Sequence, residues 1–298
     1  MPTELLIAVL AGLGGMLGWG FADLFAKKTI DQIGDVVSLA WAHIFGTIAL
    51  FLVFIFKIMS STQKVTIPHS LPTWGLLLFF GALQAVVYLF VYKGFGKGQV
   101  AVLNPVFASF SGLVAVFSIV FFGEIVSGGL VFSLAIIFLG LLLLNIDIQA
   151  LKSRRLNFIR VPGFKEVGLA TLFATFWTLF WDKFVSGQDW LLYALLMYVF
   201  MTIVILIVAK IKKIKMLFAN PSMWKFLILI GVCEVVAYVA ISLGYSKTTF
   251  TSVVALLSGA FSLPTIIMAR VFLKEKVTRA QTVGGFVIII GIILLALL

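Results

Sequence analysis

The chain has 298 residues, of which 62% are hydrophobic and 11% charged, and its formal net charge is +11. Soluble globular proteins are about half apolar and one quarter charged. This composition therefore excludes a soluble globular protein. Apolar runs recur along the whole chain, and a helix needs about 20 apolar residues to cross a bilayer. The sequence therefore predicts an all-α integral membrane protein that contacts the lipid bilayer and has no nucleic-acid partner.

The apolar runs divide into ten predicted transmembrane helices, five on each side of a basic segment. That segment, 150–165, is predicted to be a linker between a first repeat over 1–149 and a second repeat over 166–298. The predicted spans are 4–26, 36–56, 73–93, 99–122, 127–146, 166–184, 189–209, 223–245, 250–272 and 279–298.

The basic residues predict the orientation of the chain. If the N-terminus lies on side A, four lysines fall toward side A, and the other eighteen of the 22 lysines and arginines fall toward the opposite side B. Basic residues concentrate in cytoplasmic loops. We therefore predict a multi-pass protein of the plasma membrane with side B in the cytoplasm and both termini outside.

The two halves resemble each other in sequence. With a shift of 150 residues, GALQAVVYLFVYKGFGKG (81–98) lies over GVCEVVAYVAISLGYSKT (231–248), so that Gln84 meets Glu234. Five spans per repeat is an odd number, so the second repeat is predicted to enter the membrane inverted relative to the first. Inverted repeats that meet at a midplane site are typical of secondary transporters.

The last two predicted helices contain SLPTIIMARVFLKEKVTRAQTVGGFVIIIGIILL, with Pro264, a turn at Glu275 and two glycines seven residues apart, Gly284 and Gly291. The first half contains NPVFASFSG and then FFGE, which ends at Glu124. With these motifs the chain resembles an EamA-type member of the drug/metabolite transporter superfamily over nearly its whole length. The resemblance implies two EamA-like repeats and a carrier for small metabolites, often an exporter of amino acids. Family members commonly have cytoplasmic termini, whereas the basic residues here predict the reverse.

Glu234 lies in the middle of the predicted eighth span. A charge at the bilayer centre costs about 3 kcal/mol on insertion scales, so we expect this side chain to face a cavity or the bundle interior. Two roles fit it: a carboxylate that couples transport to protons or binds a cationic substrate group, or a protonated side chain in an interhelical hydrogen bond. Gln84 occupies the equivalent position, and Tyr88 and Tyr238 follow on the same faces. These four residues predict a central cavity.

Other residues within the spans are candidates for the cavity wall or for hinges. Trp19 and Trp177 lie within their spans, where they line a cavity or pack between helices. Pro105 and Pro264 each remove a backbone hydrogen bond, which indicates a hinge or a tolerated kink. Polar side chains near these prolines are predicted substrate ligands: Asn104, Ser258 and Ser262.

Asp23 and Arg270 lie near the same end of their spans and form a candidate gate pair. Alternatively, Asp23 is an interfacial residue. His43, in the second span, is interpreted as a packed, hydrogen-bonded histidine rather than a proton relay.

The function that these patterns favour is a secondary transporter that works by alternating access. A channel or membrane scaffold and an integral-membrane enzyme are the alternatives. No H-E-x-x-H, G-x-S-x-G or G-x-x-x-x-G-K-[ST] motif occurs, and Cys233 is the only cysteine. We therefore predict no catalytic site, no metal and no cofactor, and the expected partners are a small-molecule substrate and, if Glu234 couples transport, protons.

Overall fold

Helices occupy all ten predicted spans. A computed structural model describes residues 2–60, 65–98, 100–145, 161–217, 220–272 and 277–298. Within them the helices are α1 (Thr3–Ile33), α2 (Asp35–Ser60), α3 (Leu71–Lys97), α4 (Val100–Val120), α5 (Gly128–Asn145), α6 (Phe164–Val185), α7 (Trp190–Ile211), α8 (Met223–Lys247), α9 (Thr251–Gly259), α10 (Ser262–Phe272) and α11 (Arg279–Ala296). Helices α9 and α10 together form the ninth span, and α11 is the tenth. The turn at Glu275 and most of the predicted linker lie outside the described residues.

The surface of this bundle is apolar enough to contact lipid. Seven described segments are long and apolar enough to cross a membrane, the ninth span from Thr251 to Met268 among them, and α4 and α5 contain shorter apolar helices. Large side chains point outward, with exposed fractions of 61% at Leu52, 72% at Phe56 and 64% at Phe286. Apolar surface of this extent is unusual on a protein in water. The fold is that of a multi-pass membrane protein.

Local signals determine where several spans begin and end. Gly34 alone separates α1 from α2, with a φ of 87° that other residues rarely adopt. Ser70 accepts a hydrogen bond from the Thr73 N–H at the start of α3. Thr278 and Gln281 form a capping box at the start of α11, in which each side chain accepts from the other residue's backbone.

The ninth span is broken beside Pro264, as the missing N–H of a proline explains. Pro264 cannot donate to the carbonyl of Ala260, which instead accepts from the Leu263 N–H at 2.9 Å. The Thr265 hydroxyl donates to the Phe261 carbonyl at 2.9 Å. Helix α4 continues through its own proline, Pro105, whose side chain lies outside the described part of the structure.

Helices of one half pack mainly against helices of the other half. Helix α1 packs along α8, and the pair equivalent to it by the internal repeat is α6 with α3. Helix α2 packs against α8 and, equivalently, α7 packs against α3, while α2–α7, α4–α9 and α5–α11 are pairs of equivalent helices. Exchanging each helix with its counterpart five spans away reproduces the same pairs. The packing therefore repeats the internal similarity of the sequence.

The pair α1–α8 is in close contact because α1 presents a glycine to it. A Cβ atom at Gly18 would lie 2.6 Å from the carbonyl oxygen of Cys233 and 2.7 Å from the backbone nitrogen of Ala237. Real Cβ atoms do not approach backbone atoms that closely. The two helices consequently meet through their backbones, as small residues allow between membrane helices.

A carboxylate from the first half caps a helix of the second. Glu124, in the connection between α4 and α5, accepts hydrogen bonds from the backbone N–H and the hydroxyl of Ser252, in the first turn of α9. Burial raises the pKa of the Glu124 carboxyl above its usual value, while the two bonds from Ser252 act in the opposite direction. The cap ties the two halves together at one end of the bundle.

Candidate functional site

A small internal cavity lies where the paired helices of the two halves converge. Its walls come from α1, α3, α4, α6 and α8 and from Phe261, at the break in the ninth span. The water-accessible volume is about 30 Å³, and one water needs about 10–15 Å³ by that measure. This conformation therefore holds about two waters, and a metabolite would enter only after the helices separate. The polar groups in the wall are Asp23, Gln84, Thr178 and Glu234 and the two tyrosines Tyr88 and Tyr92.

Glu234 is held by two residues from the neighbouring helices α2 and α7. Its side chain lines the cavity and the residue is 1% exposed. The Tyr198 hydroxyl donates to Glu234 Oε2 at 2.9 Å, and His43 Nε2 lies 3.6 Å from the same oxygen. The rings of His43 and Tyr198 stack with their centroids 5.2 Å apart. The cluster fixes the position of the carboxyl group from one side.

The hydrogen bond of His43 Nδ1 determines whether Nε2, the ring nitrogen facing Glu234, can donate or accept a proton. His43 Nδ1 lies 3.0 Å from the Leu39 carbonyl oxygen, and a carbonyl only accepts, so Nδ1 carries the proton. Nε2 then presents a lone pair toward Glu234 unless the ring is protonated, and it has no hydrogen-bond partner. At 3.6 Å the two groups are not hydrogen-bonded, and a small approach of the side chains would let one proton bridge them. The sequence interpretation of His43 as a packed, hydrogen-bonded residue captured the Leu39 contact but missed Glu234.

Gln84 and Tyr238 connect the other side of the cavity. Gln84 Nε2 donates to the Tyr238 hydroxyl at 2.7 Å, which leaves Gln84 Oε1 buried without a partner. The Tyr238 ring stands edge-on to Trp19 and Trp177, with centroids 6.1 and 6.2 Å away. Tyr238 thus supports the cavity from behind its lining residues. Trp177 Nε1 donates to the Phe80 carbonyl, whereas Trp19 Nε1 is buried without a partner.

The candidate gate pair is not formed in this conformation. Asp23 lines the cavity, while Arg270 is exposed, and no ion pair joins them among the described residues. The prediction of a gate pair required Asp23 to face Arg270 at the end of the spans, whereas the Asp23 side chain faces the cavity. Asp23 has neither a hydrogen bond nor an ion pair in the part of the chain that the structure describes.

Three predicted ligands lie away from the cavity. Ser258 donates to the Ala255 carbonyl of its own helix, and Ser262 Oγ and Asn104 Oδ1 are buried without partners. Among the described residues none of these three is part of the cavity wall. The break near Pro264 places Phe261 in the wall instead.

The structure also places at the site residues that the sequence did not assign to it. Tyr198 donates to Glu234 from α7, His43 faces it from α2, and four further aromatic residues complete the wall. For His43 and Tyr198, a position in the middle of an apolar span was the available signal, because polar side chains at that depth are unusual. The four aromatic residues are Tyr92, Phe107, Phe110 and Phe261.

The described residues contain no group of three His, Cys, Asp or Glu side chains placed to hold a metal ion. The donors and acceptors of the cavity are carboxyl, amide, phenol, hydroxyl and indole groups. These groups bind organic solutes and protons, and the cavity has both polar and aromatic walls for an amphipathic solute.

The ten spans and the cavity between them, with its polar side chains, define a multi-pass membrane protein with an internal site. The chain belongs to the EamA-like transporter family, whose sequence model matches residues 6–146 and 167–297. This match confirms the resemblance and its two repeats, and it makes the protein a membrane transporter by family.

Two further comparisons bear on the fold. No curated protein matches the chain. A solved structure described as "Crystal structure of protein" superimposes with a TM-score of 0.76 over 97% of this chain and 97% of that one, at 14% sequence identity. At that identity the likeness shows the fold alone.

Proposed function

We propose that the protein is a secondary transporter that moves a small metabolite, such as an amino acid, across the plasma membrane by alternating access. The observation that carries the proposal is the cavity, whose walls come from equivalent helices of both halves and contain the carboxyl group of Glu234. An internal site at the boundary between two similar halves is typical of carriers. The repeats are assigned to 1–149 and 166–298, inverted relative to each other and joined by 150–165.

Alternating access requires parts that move, and Pro264 supplies the best candidate hinge. The backbone is already interrupted between α9 and α10, and Phe261 at the break is in the cavity wall. A rotation there would change the wall without breaking a continuous helix. Pro105 is assigned the equivalent role in α4, and Asp23 and Arg270 are retained as a gate pair for a conformation other than this one.

Proton coupling is assigned to Glu234 together with His43. A small approach of the two side chains would let them share one proton, and an unpaired charge at that depth is costly. Loss of the proton would therefore leave a charge that a substrate or a rearrangement of the cavity must compensate. This links the protonation state of the pair to the conformation of the cavity.

Counterflow in proteoliposomes tests the transport activity. Liposomes containing the purified protein would be preloaded with one unlabelled solute from a panel of the twenty amino acids and simple aromatic amines. We expect transient accumulation of the same labelled solute inside preloaded liposomes and none in empty ones. Entry that is equally fast without preloading would indicate a channel, and no entry of any panel member into liposomes with folded protein would reject the proposed function.

The orientation follows from the basic residues, so we assign side B to the cytoplasm and both termini to the outside. Alkaline phosphatase, which is active only outside the bacterial cytoplasm, would be fused after Leu298. We expect an active fusion in a bacterial host, and a fusion after Lys213, between α7 and α8, should be inactive. The opposite pattern with equal expression would reverse the assigned orientation.

A further inference from the structure

The cavity wall carries acidic groups and no basic ones. Asp23 and Glu234 both line it, and no lysine, arginine or histidine is among the described lining residues. A negatively charged group of a ligand would have to enter beside two carboxyl groups with no cation to compensate it. Burial of an uncompensated charge is costly, so this charge distribution selects against anionic groups.

The two acids differ in what already binds them. Glu234 accepts from Tyr198 and faces His43, whereas Asp23 has no hydrogen-bond or ion-pair partner among the described residues. A second acceptor, Gln84 Oε1, is buried in the same wall without a partner. Asp23 and Gln84 Oε1 are therefore two unused acceptors in one wall, and a protonated amine requires acceptors.

The donors that the described lining residues offer are all neutral: the hydroxyl groups of Tyr88, Tyr92 and Thr178 and the indole N–H groups of Trp19 and Trp177. Among the described lining residues, Trp19 Nε1 is the one buried side-chain nitrogen without a partner. A single indole N–H can hold one neutral oxygen of a ligand, but it cannot neutralise a carboxylate. An amino acid zwitterion would thus find a site for its ammonium group and none of matching charge for its carboxylate.

Aromatic rings form the remainder of the wall and favour the same ligand charge. Trp19 packs edge-on against Phe261, and Phe107 packs against both Phe261 and Phe110. The faces of aromatic rings attract cations, and the attraction grows when water is excluded. Rings and carboxyl groups together suit an organic cation with an apolar body.

We propose that the ligand of this cavity is an organic monocation, whose protonated amine binds Asp23 and whose apolar body packs among the aromatic rings. The inference rests on the proposed transport function and changes its metabolite from an amino acid to an amine, but it concerns binding and is tested without transport. Glu234 is assigned to the proton and Asp23 to the ligand, so the two carboxyl groups have separate roles.

A matched ligand series separates charge from shape. Phenethylamine, phenylalanine and phenylpropionate share a phenylalkyl body and carry a cationic, zwitterionic and anionic head, and tryptamine, tryptophan and indolepropionate form a second series. Binding to purified protein in detergent would be measured by calorimetry. We expect at least one amine to bind on the order of tenfold or more tightly than its zwitterionic and anionic partners.

The variant Asp23→Asn tests whether the amine binds at Asp23. We expect it to weaken binding of the preferred amine on the order of tenfold or more, because a charged acceptor is replaced by a neutral one. Asp31→Asn, on the same helix but exposed and paired with Lys27, should bind as the wild type does. The thermal stability of both variants without ligand is compared with that of the wild type. This comparison shows whether a loss of amine binding reflects misfolding. If Asp23→Asn does not fold, Asp23→Glu replaces it, and we expect weaker amine binding because the carboxylate is displaced by one methylene.

Several outcomes would overturn the inference: tighter binding of an anion or zwitterion, unchanged amine binding in Asp23→Asn, or no binding of either amine to folded protein. Counterflow distinguishes this failure from failure of the proposed function. Transport of an amino acid without amine binding would reject the organic cation as the ligand and leave the transport function standing. Amine binding without any counterflow would reject the transport function and leave the organic cation as the ligand.

Discussion

Replacing Glu234 by glutamine is expected to flatten the pH dependence of counterflow and to slow counterflow on the order of tenfold or more. Glutamine has nearly the same shape and keeps an oxygen that accepts from the Tyr198 hydroxyl, so the helices α7 and α8 stay in contact. It cannot exchange a proton with His43. The measurement is the initial rate of counterflow with the best solute of the panel, at each pH.

The matched control is Glu4→Gln, which removes an exposed carboxyl group at the start of α1. Its rate and pH profile should equal those of the wild type. A pH profile that persists in Glu234→Gln would assign the carboxyl group to helix packing, the second role that the sequence left open. Unchanged thermal stability of the variant is required before either conclusion is drawn.

Gly18→Val is expected to destabilise the protein by about 2–3 kcal/mol, because it overpacks the contact between α1 and α8. The new side chain would meet backbone atoms of Cys233 and Ala237, which cannot rotate away as a side chain can. For a protein of this size we expect a fall in the melting temperature on the order of 5 °C or more. The measurement is thermal unfolding in detergent.

Gly168→Val is the matched control within a helix of the other half. A Cβ atom at Gly168 in α6 would have no neighbour within 4 Å, so the same exchange adds a side chain in open space. Both substitutions change helix propensity equally, and the difference between them isolates the contact. Equal melting temperatures of the two variants would show that α1 and α8 can separate without cost.

The spans and the family were predictable because they depend on local composition. Apolar runs give helix positions directly, and Pro264 marks the break in the ninth span. The placement of Gln84 and Glu234 in one cavity was also predictable, since the internal repeat relates the two positions. That Ser258 and Asn104 do not line the cavity in this conformation was not predictable, because helix rotation depends on neighbouring helices and an apolar helix in lipid has little amphipathic pattern to reveal it.

The contact of His43 and Tyr198 with Glu234 was not predictable, for a different reason. His43 and Tyr198 lie on helices of different halves, and both reach Glu234 only through the packing of α2 and α7 against α8. Sequence periodicity describes one helix at a time and contains no information on which helices meet. The same limit applies to Phe107, Phe110 and Phe261, three of the 30 phenylalanines in the chain.

The exchanged pairing of helices between the halves affects the energetics of the proposed cycle. The pairs α1–α8 and α3–α6 are equivalent by the internal repeat. A conformation open to one side of the membrane can therefore be converted into one open to the other side if the two pairs exchange their contacts. Two such states would differ little in free energy. A near-degenerate pair of states responds to small inputs, so the binding of one ligand or one proton suffices to change which state is populated.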